Sequence, residues 1–266
     1  MTLNYLTTHN TYYSPNQPTH WFARINPTVI FYFKIATLVL KASRLCKKGT
    51  YTNDHWVQSS FNTIKALEAV GGRFEIRNLD VIRKIKSPSV FVSNHMSILE
   101  TFVLPCLIQP YHDVTFVIKE SLLSFPFFRH VMRSRNPITV GRDNPREDLK
   151  TVLVEGKNRL NDNISVIIFP QTTRSIKFDP SKFNSLGIKL AKRCNVPVIP
   201  ITLKTDAWCI GSKVKELGKV YPDKTVHIDF SDPLIVKGSG KEEHKFIIDI
   251  ITKRLDSYDK KSELIE

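Results

Sequence analysis

The chain has 266 residues, enough for one large domain or two small ones with a sizeable buried core. Hydrophobic residues make up 41% and charged residues 24%, and the 10 Gly and 15 Pro follow no Gly-X-Y period, which excludes a collagen-like or largely disordered chain. Lys and Arg outnumber Asp and Glu by 39 to 25, a net +14 that points to an anionic partner: nucleic acid, an anionic membrane leaflet or phosphorylated substrates. The basic residues are spread along the chain, with no zinc-ligand spacing, no aromatic-basic RNA-binding motif and no clear helix-turn-helix, so no nucleic acid partner is expected. Cys46, Cys106, Cys194 and Cys209 lie far apart and form no C-x-x-C, which predicts reduced thiols rather than a disulfide scaffold or a metal site.

Residues 1–20 form a polar tail rich in Thr, Asn, Tyr and Pro, without the basic n-region of a signal peptide. Residues 28–40, TVIFYFKIATLVL, are the most apolar stretch, yet Arg24, Lys34 and Lys41 divide it, so no charge-free run approaches the roughly 18–20 residues of a spanning helix. On a helix, Lys34, Thr37, Lys41, Arg44 and Lys48 fall into one polar stripe. Val29, Ile30, Phe31, Phe33, Ile35, Leu38, Val39 and Leu40 cover the rest of the circumference. Such a helix suits a bilayer interface, or equally a position against the protein's own core with the stripe facing water. A second helical pattern over residues 54–70 carries Val57, Phe61, Ile64 and Leu67 at helical spacing and stops at Gly71-Gly72. Residues 21–72 therefore read as an amphipathic helical hairpin joined to a different sort of domain over 73–266.

In that second part, β-type runs at 74–77, 90–93, 114–118, 166–169, 198–202 and 226–230 alternate with helical patterns at 97–108, 124–133, 145–161, 183–193 and 241–258. The alternation predicts an α/β fold, a mostly parallel sheet flanked by helices, with the chemistry at strand ends.

Four strand ends stand out, three of them for polar clusters. After residues 90–92 comes Asn94-His95, with Glu100 five residues beyond the His. On one continuous helix the two side chains would diverge by about 140°. A His95–Glu100 dyad therefore needs His95 in the loop and Glu100 in the first helical turn. Ser97-Ile98-Leu99-Glu100 is also a capping box, the structural alternative for the same Glu. The second cluster is Lys119-Glu120-Ser121, followed by Gly141-Arg142-Asp143, where Arg142 could grip a phosphate with its two-pronged guanidinium or simply face solvent in a turn. The third is Phe169-Pro170-Gln171-Thr172-Thr173-Arg174-Ser175, a phosphoryl-binding turn or an ordinary Ser/Thr turn. The fourth, residues 195–201, is a strand punctuated by Pro197 and Pro200 and carries no chemistry of its own.

Taken in order, Asn94-His95-x4-Glu100, Lys119-x-Ser121-Leu122 leading to Gly141-Arg142, Phe169-Pro170-x-x-Thr173-Arg174-Ser175 and Val196-Pro197-Val198-Ile199-Pro200 resemble the glycerolipid acyltransferase family over about residues 88–205. The hairpin is similar to the membrane-docking helices of bacterial members. The resemblance implies transfer of a fatty acyl group from acyl-CoA or acyl carrier protein to the hydroxyl of 1-acylglycerol-3-phosphate, giving phosphatidic acid. It implies a peripheral or monotopic protein at the cytoplasmic face of an anionic membrane, with no metal and no bound cofactor. By the same resemblance His95 is the general base and Glu100 its carboxylate partner. Lys119, Arg142, Gln171, Thr172, Thr173 and Arg174 are then the substrate-binding residues. Two positions depart from the family pattern: Glu100 stands where Asp is usual, and Gln171-Thr172 where Glu-Gly is usual. The loss of that carboxylate and glycine leaves room for another lysophospholipid or lipid acceptor, or for a lipid-binding protein that has lost its chemistry.

Overall fold

The apolar runs become strands and the amphipathic runs helices in the computed structural model, which describes residues 9–263 except 17, 20, 126, 127, 172 and 213, with side chains to residue 260. The chain begins with strand β1 (Thr11–Tyr13) and helices α1 (Trp21–Ile25), α2 (Pro27–Lys47) and α3 (Asn53–Glu68). It continues through β2 (Arg73–Arg77), α4 (Asp80–Lys84), β3 (Val90–Ser93), α5 (Leu99–Ile108) and β4 (Val114–Lys119). Next come α6 (Phe128–Ser134), β5 (Ile138–Val140), α7 (Pro145–Asn161) and β6 (Ser165–Ile168). The last elements are α8 (Leu186–Cys194), β7 (Val198–Lys204), β8 (Thr225–Phe230) and α9 (Lys241–Glu263).

The strands form one sheet in the order β1-β2-β8-β7-β3-β6-β4-β5. Pairing is parallel from β2 to β8 and from β7 through β3, β6 and β4 to β5, and antiparallel at β1–β2 and β7–β8. This is the expected α/β architecture with a mostly parallel sheet. Alternation along the central strands explains its two covered faces. Phe91, Ile167 and Ile199 point to one side, into a core shared with Phe31 and Ile35 of α2, Ile64 and Leu67 of α3 and Leu104 of α5. Val90, Val92, Val166, Ile168 and Val198 point to the other, against Val152 of α7, Leu190 of α8 and Ile251 of α9. Each such fully buried side chain stabilises the fold by roughly 1.5–3 kcal/mol.

Local chemistry sets the boundaries. Asn26 caps α2 by accepting the Val29 N–H at 3.1 Å, and Pro27 occupies the first turn, where a missing N–H costs nothing. Thr52 and His55 form a reciprocal cap at the start of α3. After α3, Gly71 takes φ 97°, and a Cβ on Gly72 would lie 2.6 Å from Leu67 Cγ, so this turn needs both glycines. Pro105 lies inside α5, and the Ser60 hydroxyl of α3 bridges the spot, donating to Val103 O at 3.2 Å and accepting the Cys106 N–H at 2.9 Å.

Three differences from the sequence reading are local. The segment read as a polar tail supplies β1 at the sheet edge, fixed by Tyr12 and Ser14 hydroxyls that each donate to Glu68 Oε1 at 2.6 Å. The helix expected at 124–133 is shortened to α6, because residues Glu120–Ser124 form a 3-10 turn. The helix expected from residue 97 starts at Leu99, for a reason that belongs to the site.

Helix α2 uses both sides of its circumference. Phe31, Ile35 and Ala42 are buried in the core, while Val29, Phe33 and Leu40 are exposed, Phe33 by 70%. Lys34, Thr37, Lys41, Arg44 and Lys48 are all exposed. Trp21, Phe22 and Ile25 of α1 add further exposed apolar side chains. Among the described residues no helix is long and apolar enough to cross a membrane.

Candidate active site

Parallel strands bring the loops after β3, β4, β5 and β6 to one edge of the sheet, the edge where open α/β sheets bind ligands. The β3 loop is anchored first. The buried Asn94 amide extends the β3–β7 ladder, donating to Leu203 O at 2.7 Å and accepting the Leu203 N–H at 2.9 Å. His95 follows in the loop and Glu100 stands in the first turn of α5, the arrangement the dyad requires. His95 Nδ1 lies 2.9 Å from Glu100 Oε1.

Glu100 is completely buried, and its carboxylate is saturated with donors. Oε1 also accepts the Met96 N–H at 2.7 Å and the Ser97 N–H at 2.9 Å. Oε2 accepts from Thr205 Oγ1 at 2.6 Å, with Ser97 Oγ at 3.0 Å. Burial pushes the Glu100 carboxyl up, but His95, Thr205 and the Ser97 N–H outweigh it and hold the group below the usual carboxylate range. An ionised Glu100 only accepts, so Nδ1 of His95 carries the proton and Nε2 presents its lone pair. Among the described residues Nε2 makes no hydrogen bond.

Glu100 is therefore bound both to His95 and to the backbone ahead of α5. The capping box expected from Ser97-x-x-Glu100 forms only in one direction, because Ser97 Oγ accepts the Leu99 N–H at 3.1 Å. That turn uses up the residues before Leu99 and delays the helix by two positions.

The loop after β6 grips His95 from the other side. Phe169 stacks on the imidazole with ring centroids 4.3 Å apart and planes 16° apart. Gln171, nearly buried, accepts the His95 N–H at 2.8 Å, and the Ser175 N–H donates to His95 O at 2.9 Å. Gln171, read from sequence as a substrate ligand, thus spends its side-chain oxygen on the histidine loop. Arg174 Nη2 pairs with Glu216 Oε1 at 2.6 Å, and Lys215 Nζ lies 3.5 Å from Thr173 Oγ1. Thr172 lies outside the described residues.

Arg142 follows β5 in the left-handed region at φ 69°, a conformation that costs a non-glycine residue about 1–2 kcal/mol. Asp148 holds it there, accepting the Gly141 and Arg142 N–H groups, each at 3.1 Å. Burial pulls the Arg142 guanidinium down, Asp148 pulls it up and Arg174 pushes it down again, leaving it below its usual value. Arg142 and Arg174 are therefore close enough to repel. Lys119 ends β4 with an exposed side chain and no hydrogen bond among the described residues. No three His, Cys, Asp or Glu side chains gather there to hold a metal ion, again among the described residues.

Sequence reasoning missed Thr205, Asp148, Lys215 and Glu216. Thr205 had a usable signal, a hydroxyl directly after an apolar strand.

Residues 73–204 match the acyltransferase family. The chain is 35% identical over 131 residues to a 1-acyl-sn-glycerol-3-phosphate acyltransferase of Pseudomonas aeruginosa, an alignment covering 49% of each protein. It is 30% identical over 129 residues to the chloroplastic 1-acyl-sn-glycerol-3-phosphate acyltransferase BAT2 of Brassica napus, covering 48% of this chain and 36% of that one. The chain thus spans about half the length of these curated relatives, or less. Its fold is similar to the crystal structure of the 1-acyl-sn-glycerophosphate (LPA) acyltransferase PlsC from Thermotoga maritima, with a TM-score of 0.66, 20% identity, and coverage of 90% of this chain and 97% of that one. The matched region runs from β2 to the end of β7 and contains the His95–Glu100 pair, and the chain belongs to the glycerolipid acyltransferase family.

Proposed function

We propose that the protein transfers a fatty acyl group from a thioester, carried by coenzyme A or acyl carrier protein, to the free hydroxyl of 1-acylglycerol-3-phosphate, giving phosphatidic acid. The observation that carries the reading is the His95–Glu100 contact of 2.9 Å, with Nδ1 turned to a buried carboxylate and Nε2 left as a base. The acceptor is supported by the Pseudomonas and Brassica relatives, both named as 1-acyl-sn-glycerol-3-phosphate acyltransferases.

In this reading the acceptor hydroxyl gives its proton to His95 Nε2 while its oxygen attacks the thioester carbonyl. The imidazolium that forms is stabilised by Glu100 and by the Phe169 ring face. Collapse of the tetrahedral intermediate breaks the carbon–sulfur bond, and the leaving thiolate takes the proton back from Nε2. An ester and a free thiol result, and His95 is regenerated. The thioester is already activated, so positioning and one base suffice without a metal. Arg142 and Arg174 hold the acceptor's phosphate beside Thr173, and Lys119 stands at the rim of the same strand edge. Gln171 serves the reaction by holding the His95 loop.

The exposed apolar residues of α1 and α2, bordered by Arg24, Lys34 and Lys41, support a position on an anionic leaflet, with the lysines reaching headgroups. We place the protein at the cytoplasmic face, where its lipid substrate and acidic acyl donors meet.

The test uses purified protein, a labelled long-chain acyl group on coenzyme A or on acyl carrier protein, and a panel of lysophosphatidic acid, other lysophospholipids and glycerol-3-phosphate. Preference for lysophosphatidic acid is the expected result. Turnover confined to another acceptor would replace the substrate, and binding to vesicles without turnover on any acceptor would overturn the enzymatic reading.

A further inference from the structure

The segment between β7 and β8 holds a small loop, residues 209–219, whose two ends are joined by hydrogen bonds. The Cys209 N–H donates to Lys219 O at 3.0 Å and the Leu217 N–H to Val214 O at 2.9 Å. A Cβ on Gly218 would lie 1.7 Å from Cys209 O, so the two sides of the loop touch backbone to backbone. It exposes Val214 by 45% and Leu217 by 61%.

The loop is fastened to α2. Tyr32 Oη lies 2.8 Å from Gly218 O and 3.2 Å from Glu216 O, and receives the Trp208 Nε1–H at 2.9 Å. The Val220 N–H donates to Thr28 Oγ1 at 3.1 Å. Thr28 and Tyr32 are one helical turn apart, so the loop lies along one stripe of α2. Their successors Val29 and Phe33 form the next stripe, about 100° around the helix, and both are exposed. The loop is thus fastened to the stripe of α2 next to this exposed apolar row. Lys215 and Lys219 put two further exposed cations on the loop.

We propose that the 209–219 loop is a second bilayer contact, with Val214 and Leu217 entering the headgroup–acyl boundary beside Val29 and Phe33. The partner is an anionic lipid surface: the loop exposes apolar side chains and cations together, and it is fastened to α2 beside the docking face. This rests on the membrane reading of α2 given above. The loop also reaches the site, since Glu216, next to Leu217, holds Arg174 at 2.6 Å and Lys215 lies beside Thr173. The same loop therefore connects the lipid surface to the guanidinium that receives the acceptor's phosphate.

Two single-tryptophan reporters in an otherwise Trp-free background, Leu217→Trp and Phe33→Trp, are titrated with vesicles containing phosphatidylglycerol, and their quenching by lipids brominated along the acyl chain is read. Both are expected to shift to the blue and to be quenched. Leu217→Asp, in the wild-type background, is expected to weaken vesicle partition by about tenfold to a hundredfold, as loss of one buried leucine implies. It is also expected to raise KM for vesicle-borne lysophosphatidic acid, leaving kcat/KM for a monomeric short-chain acceptor unchanged. A blue shift and quenching at residue 33 with none at residue 217 would overturn the loop's role and leave α2 docking intact, and silence at both would overturn docking as a whole. A shift at residue 217 on adding acyl carrier protein but not vesicles would assign the loop to a protein partner and equally overturn the proposal. Should the Trp-free background unfold, hydrogen exchange of the wild-type 209–219 amides with and without vesicles gives the same decision: protection supports the contact and unchanged exchange refutes it.

Discussion

Glu100 shows how one side chain joins fold and chemistry. Its carboxylate accepts from two backbone N–H groups, one hydroxyl or two, and His95, so it shapes the turn before α5 and fixes the imidazole at once. Glu100→Gln would place an amide among donors and remove the charge that steadies an imidazolium. Turnover is expected to fall by about 10²–10⁴ and stability by about 1–3 kcal/mol. Ser97→Ala should weaken the turn with a far smaller effect on kcat, and parallel kinetics and thermal unfolding separate the two. The acid limb follows from the depressed Glu100 pKa. Its contribution to stability is complete above the unfolded carboxyl's value of about 4.3 and fades as pH falls through the lower folded value, so Glu100→Gln should flatten this part of the acid-unfolding profile. The His95–Glu100 pair was legible because both ends lie within one strand–loop–helix unit. Thr205 and Glu216 were not, since their contacts span 105 and 42 residues and leave no local pattern. Gln171 was legible as a site residue while its hydrogen-bond partner, the His95 backbone, was not.

Helix α2 could be read as a helix from its periodicity, but not which of its apolar residues would be covered. A wide apolar face leaves that choice to the partners. Phe31 and Ile35 enter the core, Phe31 against Trp208, and Val29, Phe33 and Leu40 stay outside. Phe33→Glu is expected to leave thermal stability within about 0.5 kcal/mol, as for an exposed position, and to lower co-sedimentation with anionic vesicles by about tenfold or more. Equal binding by wild type and variant would remove α2 from the membrane contact. The long elements were legible for the same physical reason: three or more β-branched or aromatic residues between turn signals mark β3, β6 and β7, and Asn144-Pro145 marks the start of α7. Strands β1 and β5 and helix α4 have three to five residues, too few to show a period. Their existence depends on pairing and packing supplied elsewhere.

At the scale of the molecule, a parallel arrangement collects loops far apart in sequence at one edge. The alternation of strands and helices made that class readable, whereas the order β1-β2-β8-β7-β3-β6-β4-β5 depends on long-range pairing that no local pattern encodes. The far side of the sheet has its own titrating group. His227 of β8 stacks on Tyr258 of α9 with centroids 4.1 Å apart, and its Nδ1 lies 3.0 Å from Glu75 Oε2. Burial pulls its pKa down to about 4, with Arg77 and Lys204 adding to the pull and Glu75 opposing it. The unfolded chain, with an imidazole near 6.5, therefore takes up the proton first. The stability His227 contributes is complete above about pH 6.5 and is lost as pH falls toward 4, by at most about 1.4 kcal/mol per pH unit. Thermal unfolding between pH 7.5 and 4.5 should show this slope in the wild type and a shallower one in His227→Gln. An unchanged slope would assign the acid sensitivity elsewhere.

The most direct test of the account compares acyl transfer to lysophosphatidic acid by wild type and His95→Ala, both shown to be folded and vesicle-bound. The account predicts turnover in the wild type and a loss of at least about 10³ in the variant, with lipid binding unchanged. Equal turnover in the two proteins, with a folded variant, would contradict it.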